Sequence, residues 1–437
     1  MPRKAIRDCT VRPIALALLV MSASAFWTWP AVAVNAADNT PPAHLGAPYA
    51  PPPPGRSRPT VAQLTALGRA MFFDASLSAS GRVSCASCHD PRHAYGPPNA
   101  LPVQPGGADL RSRLGTRAAP SLRYLQSVPA FTEHHHENEG DDSIDAGPTG
   151  GRTWDGRADS AHDQARLPLL SPSEMGNASA EAVVGKLRHS SYAQEFRATF
   201  GNDVFDETSR AFESALMALE VFQQSPADFY PYSSRYDAVL RGQATLTPQE
   251  ARGLSLFNDA TKGNCAACHL SEPTLDGAFP LFTDFGHIAL GVPRNRQIAA
   301  NRDPQYADLG LCGPLRTDYL ARADYCGRFR TPTLRNVAVR QSFFHNGVIH
   351  SLDEAVRFYV QRDTDPARWY GREKNGKPKR FDDLPAVYHV HVDTDPPFGG
   401  KIGDAPALSE AEIQDVVAFL KTLTDADLKV RNPTPTR

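Results

Sequence analysis

Cys85-Ala-Ser-Cys88-His89 and Cys265-Ala-Ala-Cys268-His269 are two copies of one motif. CxxCH is the attachment signature of a c-type haem. Its two cysteines add across the haem vinyl groups, and the adjacent histidine is held where its imidazole reaches the iron. The motif constrains the fold strongly, because each haem must be wrapped in apolar residues and replaces much of the local core. A zinc half-site is the competing reading of CxxC, but it needs two further ligands at short spacing, and neither copy has them. A thioredoxin-type redox pair belongs in a βαβ pattern, which the chain lacks. The chain is read as a dihaem protein, and the open question is what the two irons do.

The N-terminus reads as an export signal over residues 1–36. Arg3, Lys4, Arg7 and Arg12 precede an apolar run from Ile14 to Phe26, and small-residue cleavage sites follow at Ala31-Val32-Ala33 or Val34-Asn35-Ala36. An uncleaved anchor is the alternative. Cys9 lies before the apolar run, so it is not a lipoprotein cysteine, and no other segment approaches a membrane-spanning length. Of seven cysteines, Cys9 leaves with the signal and four carry haem. Cys312 and Cys326 remain, 14 residues apart. In an oxidising compartment they are expected to form a disulfide, with two free thiols as the alternative. Covalent haem and a disulfide both point outside the cytoplasm, most simply to a periplasm. Loss of Arg3, Lys4, Arg7, Arg12 and Asp8 with the leader moves the formal charge from −2 to −5, which argues against nucleic acid as a partner.

Residues 37–60 are Pro-rich and read as a linker. A weak internal repeat follows: Leu67-Gly68 and Met71-Phe72-Phe73 precede the first motif, and Gly253-Leu254 and Leu256-Phe257 precede the second. Each looks like a helix leading into a haem loop, as at the start of a cytochrome c domain. Residues 180–200, 207–223 and 352–361 have helical patterns. Capping boxes are read at Thr247 with Glu250, Ser351 with Glu354 and Ser409 with Glu412. Strand signals are sparse. The expectation is a mainly α protein of two cytochrome c-like domains, 61–240 and 241–425, each with one covalent haem, and a tail over 426–437.

Beyond the motifs the chain resembles the bacterial dihaem cytochrome c peroxidases and their MauG relatives from about 61 to 425. Four stretches carry the resemblance: Trp154-Asp155-Gly156-Arg157-Ala158 running on to Glu174-Met175; Arg330-Thr331-Pro332-Thr333-Leu334-Arg335-Asn336-Val337 with Phe344-His345-Asn346-Gly347; Leu352-Asp353-Glu354-Ala355-Val356; and Val417-Ala418-Phe419-Leu420-Lys421-Thr422-Leu423. The resemblance implies haems on either side of the domain interface, a peroxidatic iron bound by His89 and a relay iron bound by His269. It places Trp154 between them, Glu174 and Gln164 above the peroxidatic iron, and Pro168 near the same pocket. A carboxylate there suits moving a proton between the two oxygens of H₂O₂.

The chain departs from ordinary peroxidases of the family in three ways. The relay iron's second ligand is usually methionine, but the mature chain has only Met71, Met175 and Met217, all before the second motif. The family's methionine position falls at Tyr359, and MauG-type enzymes use tyrosine there. A phenolate is a hard donor that stabilises higher oxidation states. Second, residues 94–117 contain no histidine to block the peroxidatic iron, so no reductive activation is expected. Third, the family's inter-haem calcium uses an asparagine where this chain has Ala118, together with backbone carbonyls around Arg340 and Ser342, so the side-chain ligand is lost, while carbonyls and water could still suffice to hold calcium between the haems.

The function these features imply is that of a periplasmic dihaem oxidoreductase. It uses H₂O₂ to reach a high-valent dihaem state that oxidises a residue of a partner protein. The loops at 312–326 and 362–396 look closest to the MbnH-type branch, associated with converting tryptophan to kynurenine in copper-handling proteins. One rival is a peroxide-scavenging peroxidase fed by a small cytochrome or cupredoxin. Another is an electron-transfer dihaem cytochrome, which would leave neither iron open. His134-His135-His136 reads as a solvated loop or a metal-binding run.

Overall fold

The computed structural model describes residues 58–110, 115–136 and 145–428. The expected leader, nearly all of the linker, most of the tail, and the acidic run after His136 lie outside the described residues.

The fold is mainly helical, and its one two-stranded ladder among the described residues pairs His287–Ile288 with Phe329–Arg330. Two helix crossings organise it. The helix Val61–Phe73 crosses Thr208–Gln223, and Pro248–Asn258 crosses Glu410–Lys421. Each crossing is centred on a glycine. A Cβ on Gly68 would lie 2.0 Å from the Ala218 carbonyl oxygen, and one on Gly253 would lie 2.0 Å from that of Asp415. Only glycine lets the backbones approach this closely.

The same relationship repeats one turn later. Phe72 meets Phe222 edge-on at 5.4 Å in the first crossing, and Phe257 meets Phe419 at 5.4 Å in the second. The internal repeat seen in sequence is therefore a repeated helix pair delivering each chain segment to its CxxCH motif. One core runs from Leu64 to Phe229 and a second from Tyr236 to Leu423.

Caps fix the helix starts. Thr60 with Gln63, Thr247 with Glu250 and Ser409 with Glu412 form reciprocal boxes. At Ser351 the box expected from sequence is only half made. Ser351 accepts the Glu354 N–H, but the Glu354 carboxylate instead takes Arg357 and Arg368. The helical stretch read over 180–200 is two helices, Ala180–Arg188 and Ala193–Phe200. Ser190 donates its hydroxyl to the Leu187 carbonyl and its own carbonyl accepts the Ala193 N–H, so local hydrogen bonds replace the helical ladder.

Buried ion pairs tie the two cores together. Asp425, near the end of the second core, accepts from Arg123 and Tyr124 of the first and from Asn336 of the second. Arg117 bridges Asp155 and Asp308. Cys312 and Cys326 are joined in a disulfide, buried with Leu311 and Tyr325 and packed against Phe131, Tyr319 and Tyr388.

Candidate active site: two haem-binding motifs and the cavity between the cores

Both motifs adopt one tight turn, over Cys85–Cys88 and Cys265–Ala267. The backbone N–H of His89 bonds the Cys85 carbonyl at 2.9 Å, and that of His269 bonds the Cys265 carbonyl at 2.8 Å. Each imidazole is then oriented from outside its turn. His89 Nδ1 lies 2.9 Å from the Tyr95 carbonyl oxygen, and His269 Nδ1 lies 2.9 Å from that of Phe282. A carbonyl only accepts, so Nδ1 carries the proton in both rings and Nε2 keeps its lone pair for a metal.

The residues supplying these carbonyls are strained alike. Tyr95 has φ 53° and Phe282 φ 55°, left-handed values that cost a non-glycine residue about 1 kcal/mol or more. Their rings pay no packing penalty: Tyr95 packs against Phe229 and Phe72, and Phe282 against Tyr236 and Phe257. The core holds the backbone in the conformation that aims each carbonyl at its histidine.

The electrostatics suit c-type haem. Burial pushes the thiols of Cys85, Cys88, Cys265 and Cys268 each up to about 12. Burial of this kind suits uncharged thioethers. Among the described residues no group of three His, Cys, Asp or Glu side chains is placed to hold a metal ion. Burial also pulls His89 and His269 down to about 4, which keeps both imidazoles neutral. Around the second motif lies a cavity of about 570 Å³ whose wall includes Cys265, Cys268, His269, Tyr359 and Trp154. Arg330 also faces it, and its buried Nη1 has no hydrogen-bond partner among the described residues. A haem carboxylate would supply that partner. The residues present fit two covalently held haems.

Trp154 is buried, donates its indole N–H to the Ala118 carbonyl at 2.8 Å, and accepts the Arg330 N–H at its own carbonyl. It belongs to the cavity wall of the second motif, while Pro120, two residues beyond Ala118, contacts His89. Tyr359 sits on the helix Leu352–Gln361, with its ring stacked on Phe398 at 5.6 Å and tilted against Phe344 at 5.9 Å. Burial, then the nearby Cys268 and Cys265, push its phenol up, and Arg362 opposes them. A phenolate here needs a close cation, the role a ligated iron fills.

Gln164 and Pro168 lie one turn apart on the helix Ala161–Leu170. Pro168 has no N–H, so the Gln164 carbonyl lacks its intrahelical donor, and the helix ends two residues on. The turn that follows, closed by Glu174 N–H and Gly176 N–H to the Ser171 carbonyl, carries Glu174. The Glu174 side chain is exposed to solvent, although dense protein surrounds it. It stands close enough to Cys85 and Cys88 to raise both thiols. Burial raises its own carboxyl, and Arg157 partly offsets that.

Several residues escaped sequence reading. Tyr95 and Phe282 act through backbone carbonyls, which carry no side-chain signature. Phe398 reaches Tyr359 from a loop, and Arg362, which caps the end of the Tyr359 helix, lies over Phe398 at 3.8 Å. Arg330 and Arg157 stand inside quoted motifs and were readable only as motif members. His345 stacks on Phe329 at 3.6 Å, and its carbonyl accepts the Ala118 N–H. His134 pairs with Asp145 at 2.6 Å.

Comparison with known proteins agrees with this geometry. Residues 62–245 match the family described as di-haem cytochrome c peroxidase. The methylamine utilization protein MauG of Paracoccus denitrificans is 33% identical over 387 residues, covering 85% of this chain and 90% of that one. The crystal structure of the diheme peroxidase BthA from Burkholderia thailandensis is 42% identical, covers 85% of this chain and 88% of its own, and superposes with a TM-score of 0.74. A MauG-like protein associated with microbial copper homeostasis is 25% identical, covers 88% and 96%, and gives 0.58. The chain belongs to the dihaem cytochrome c peroxidase and MauG family. It is a peroxide-dependent dihaem oxidoreductase with the mainly helical fold of that family.

Proposed function

We propose that this protein is exported to the periplasm, binds one c-type haem in each of two domains that divide near residue 240, and uses H₂O₂ to oxidise a residue of a partner protein. When bound, the haems supply two redox-active irons, held by Cys85, Cys88 and His89 and by Cys265, Cys268 and His269. Tyr359 would help to hold the latter through its phenol oxygen. No helix among the described residues is long and apolar enough to cross a membrane.

The chain's own residues do the rest. Glu174 takes a proton from the near oxygen of the peroxide and returns it to the far one, which leaves as water. Gln164 orients the peroxide, and Pro168 ends the helix so that the Glu174 turn can follow. Trp154 carries electrons between the two sites. H₂O₂ takes up two electrons and two protons in all, drawn ultimately from the partner. The narrowest form of the reading is conversion of tryptophan to kynurenine in a copper-binding protein, a four-electron oxidation that consumes two H₂O₂ and releases the lost ring carbon as formic acid, supported by the likeness to the MauG-like protein associated with copper homeostasis.

The observation that carries the reading is Tyr359, enclosed beside Cys265 and Cys268 where the family's peroxidases use methionine. A second reading, peroxide removal fed by a small cytochrome or cupredoxin, is favoured by the 42% identity to a protein named a diheme peroxidase. Turnover separates them. The first reading predicts slow oxidation of reduced small cytochromes and a peroxide-dependent mass change on a partner protein. Rapid multiple turnover with a reduced cytochrome contradicts it.

A further inference from the structure

Two loops meet beside the first motif. One carries Ala118, Ala119 and Pro120, and the other carries Arg340 and Ser342. The family resemblance puts a calcium ion between the haems here, with a side-chain oxygen at position 118 and carbonyls from 340 and 342. Calcium takes about six to eight oxygen ligands, and here a guanidinium cation already sits at carbonyls that would supply some of them. Ala118 has no side-chain oxygen, and its carbonyl accepts the Trp154 N–H at 2.8 Å. The Ser342 carbonyl accepts from Arg340 Nε at 3.2 Å, and the Ala119 carbonyl from Arg340 Nη2 at 3.3 Å. The Ser342 hydroxyl is buried without a partner among the described residues. The residues present do not fit calcium.

They do fit another cation. The Arg340 guanidinium curls back over its own loop into this carbonyl cluster, near enough to act on His89. Burial pulls it down to about 10, still charged at neutral pH. We propose that Arg340 is the fixed cation at the junction of the two haem-binding motifs, standing where dihaem relatives hold calcium, and that this protein neither binds nor needs the metal there. The assignment holds whichever substrate the enzyme oxidises. Its electrostatic consequence is one permanent positive charge on the His89 side, insensitive to chelators.

The test uses the dihaem protein equilibrated with calcium chloride, desalted, and assayed for calcium by atomic emission, with melting followed with and without EGTA. Calcium well below one equivalent per chain and an unchanged melting temperature are expected. One retained equivalent, or a melting temperature that falls with EGTA and recovers with calcium, overturns the proposal. The Ala118→Asn/Arg340→Thr double variant restores the side-chain ligand and removes the resident cation. It is expected to gain one calcium and EGTA-sensitive melting, and a folded variant that binds none overturns the placement. Arg340→Met gives an independent readout. The reduction potential of one haem should fall in this variant and hold in Arg340→Lys, whereas a potential unmoved in Arg340→Met means that the guanidinium is not the working charge.

Discussion

Trp154 gives its indole N–H to the carbonyl of Ala118 across 2.8 Å, and that bond links the two halves of the site. Ala118 begins the loop whose Pro120 contacts His89, while Trp154 itself faces the cavity of Cys265, Cys268 and His269. One indole, fixed by that hydrogen bond, thus ties the His89 side of the site to the side of Cys265, Cys268 and His269.

Replacing Trp154 with Phe keeps an aromatic ring, gives up part of the indole's volume and removes the N–H. The bond's loss costs about 1 kcal/mol, so the protein should still fold with both haems. Peroxide-driven oxidation of a partner should nevertheless fall sharply, measured by stopped-flow absorbance after peroxide addition. A variant with wild-type kinetics means that electrons cross elsewhere.

Glu174→Gln should slow the reaction with peroxide by about 10²–10⁴-fold, the usual worth of a general acid–base group. The pH profile gives the sign. Burial raises the Glu174 carboxyl, so it stays protonated to a higher pH than an ordinary glutamate at about 4.3. Only the ionised form accepts the peroxide proton. The rate should therefore fall as pH drops through this raised value, and Glu174→Gln should lose that acidic limb. A limb that survives the substitution belongs to another group.

Tyr359→Phe leaves the stacking with Phe398 and Phe344 intact and removes the ligand oxygen. The His269 haem should become high-spin by electron paramagnetic resonance, and its potential should rise. An unchanged low-spin signal refutes ligation by Tyr359.

The glycine crossings predict stability. Gly253→Ala puts a Cβ 2.0 Å from the Asp415 carbonyl oxygen, and the helix pair must separate. The cost should be about 3 kcal/mol, the upper range for overpacked cores, seen as a clear drop in the melting temperature of the holoprotein. Gly68→Ala should behave alike. Gly185→Ala, inside the helix Ala180–Arg188 with nothing within 4 Å of the added Cβ, is the control and should melt at or somewhat above wild type, because Ala is the better helix former by about 1 kcal/mol.

Much of this was legible in sequence because covalent haem chemistry leaves side-chain signatures. The CxxCH motifs, the repeat at Gly68 and Gly253, the missing methionine and the lone cysteine pair each name a local requirement. What sequence hid is carried by backbone and by distance. Tyr95 and Phe282 orient the histidines through carbonyls, and their left-handed conformations come from packing that spans the cores. Glu174 reads as any surface acid until the turn after Pro168 sets it beside Cys85 and Cys88. Arg340 reads as a surface charge until its guanidinium is found at the carbonyls of Ala119 and Ser342. The break at 189–192 was missed because serine hydroxyls compete with the helix through bonds that periodicity does not register.

The most direct test is the addition of one equivalent of H₂O₂ to the diferric protein without prior reduction, followed by haem and near-infrared absorbance. The account predicts immediate reaction and a long-lived oxidised species with near-infrared absorption from electron sharing across Trp154. No reaction until an electron is supplied would contradict it, and would mean a blocked first iron and an ordinary, reductively activated peroxidase.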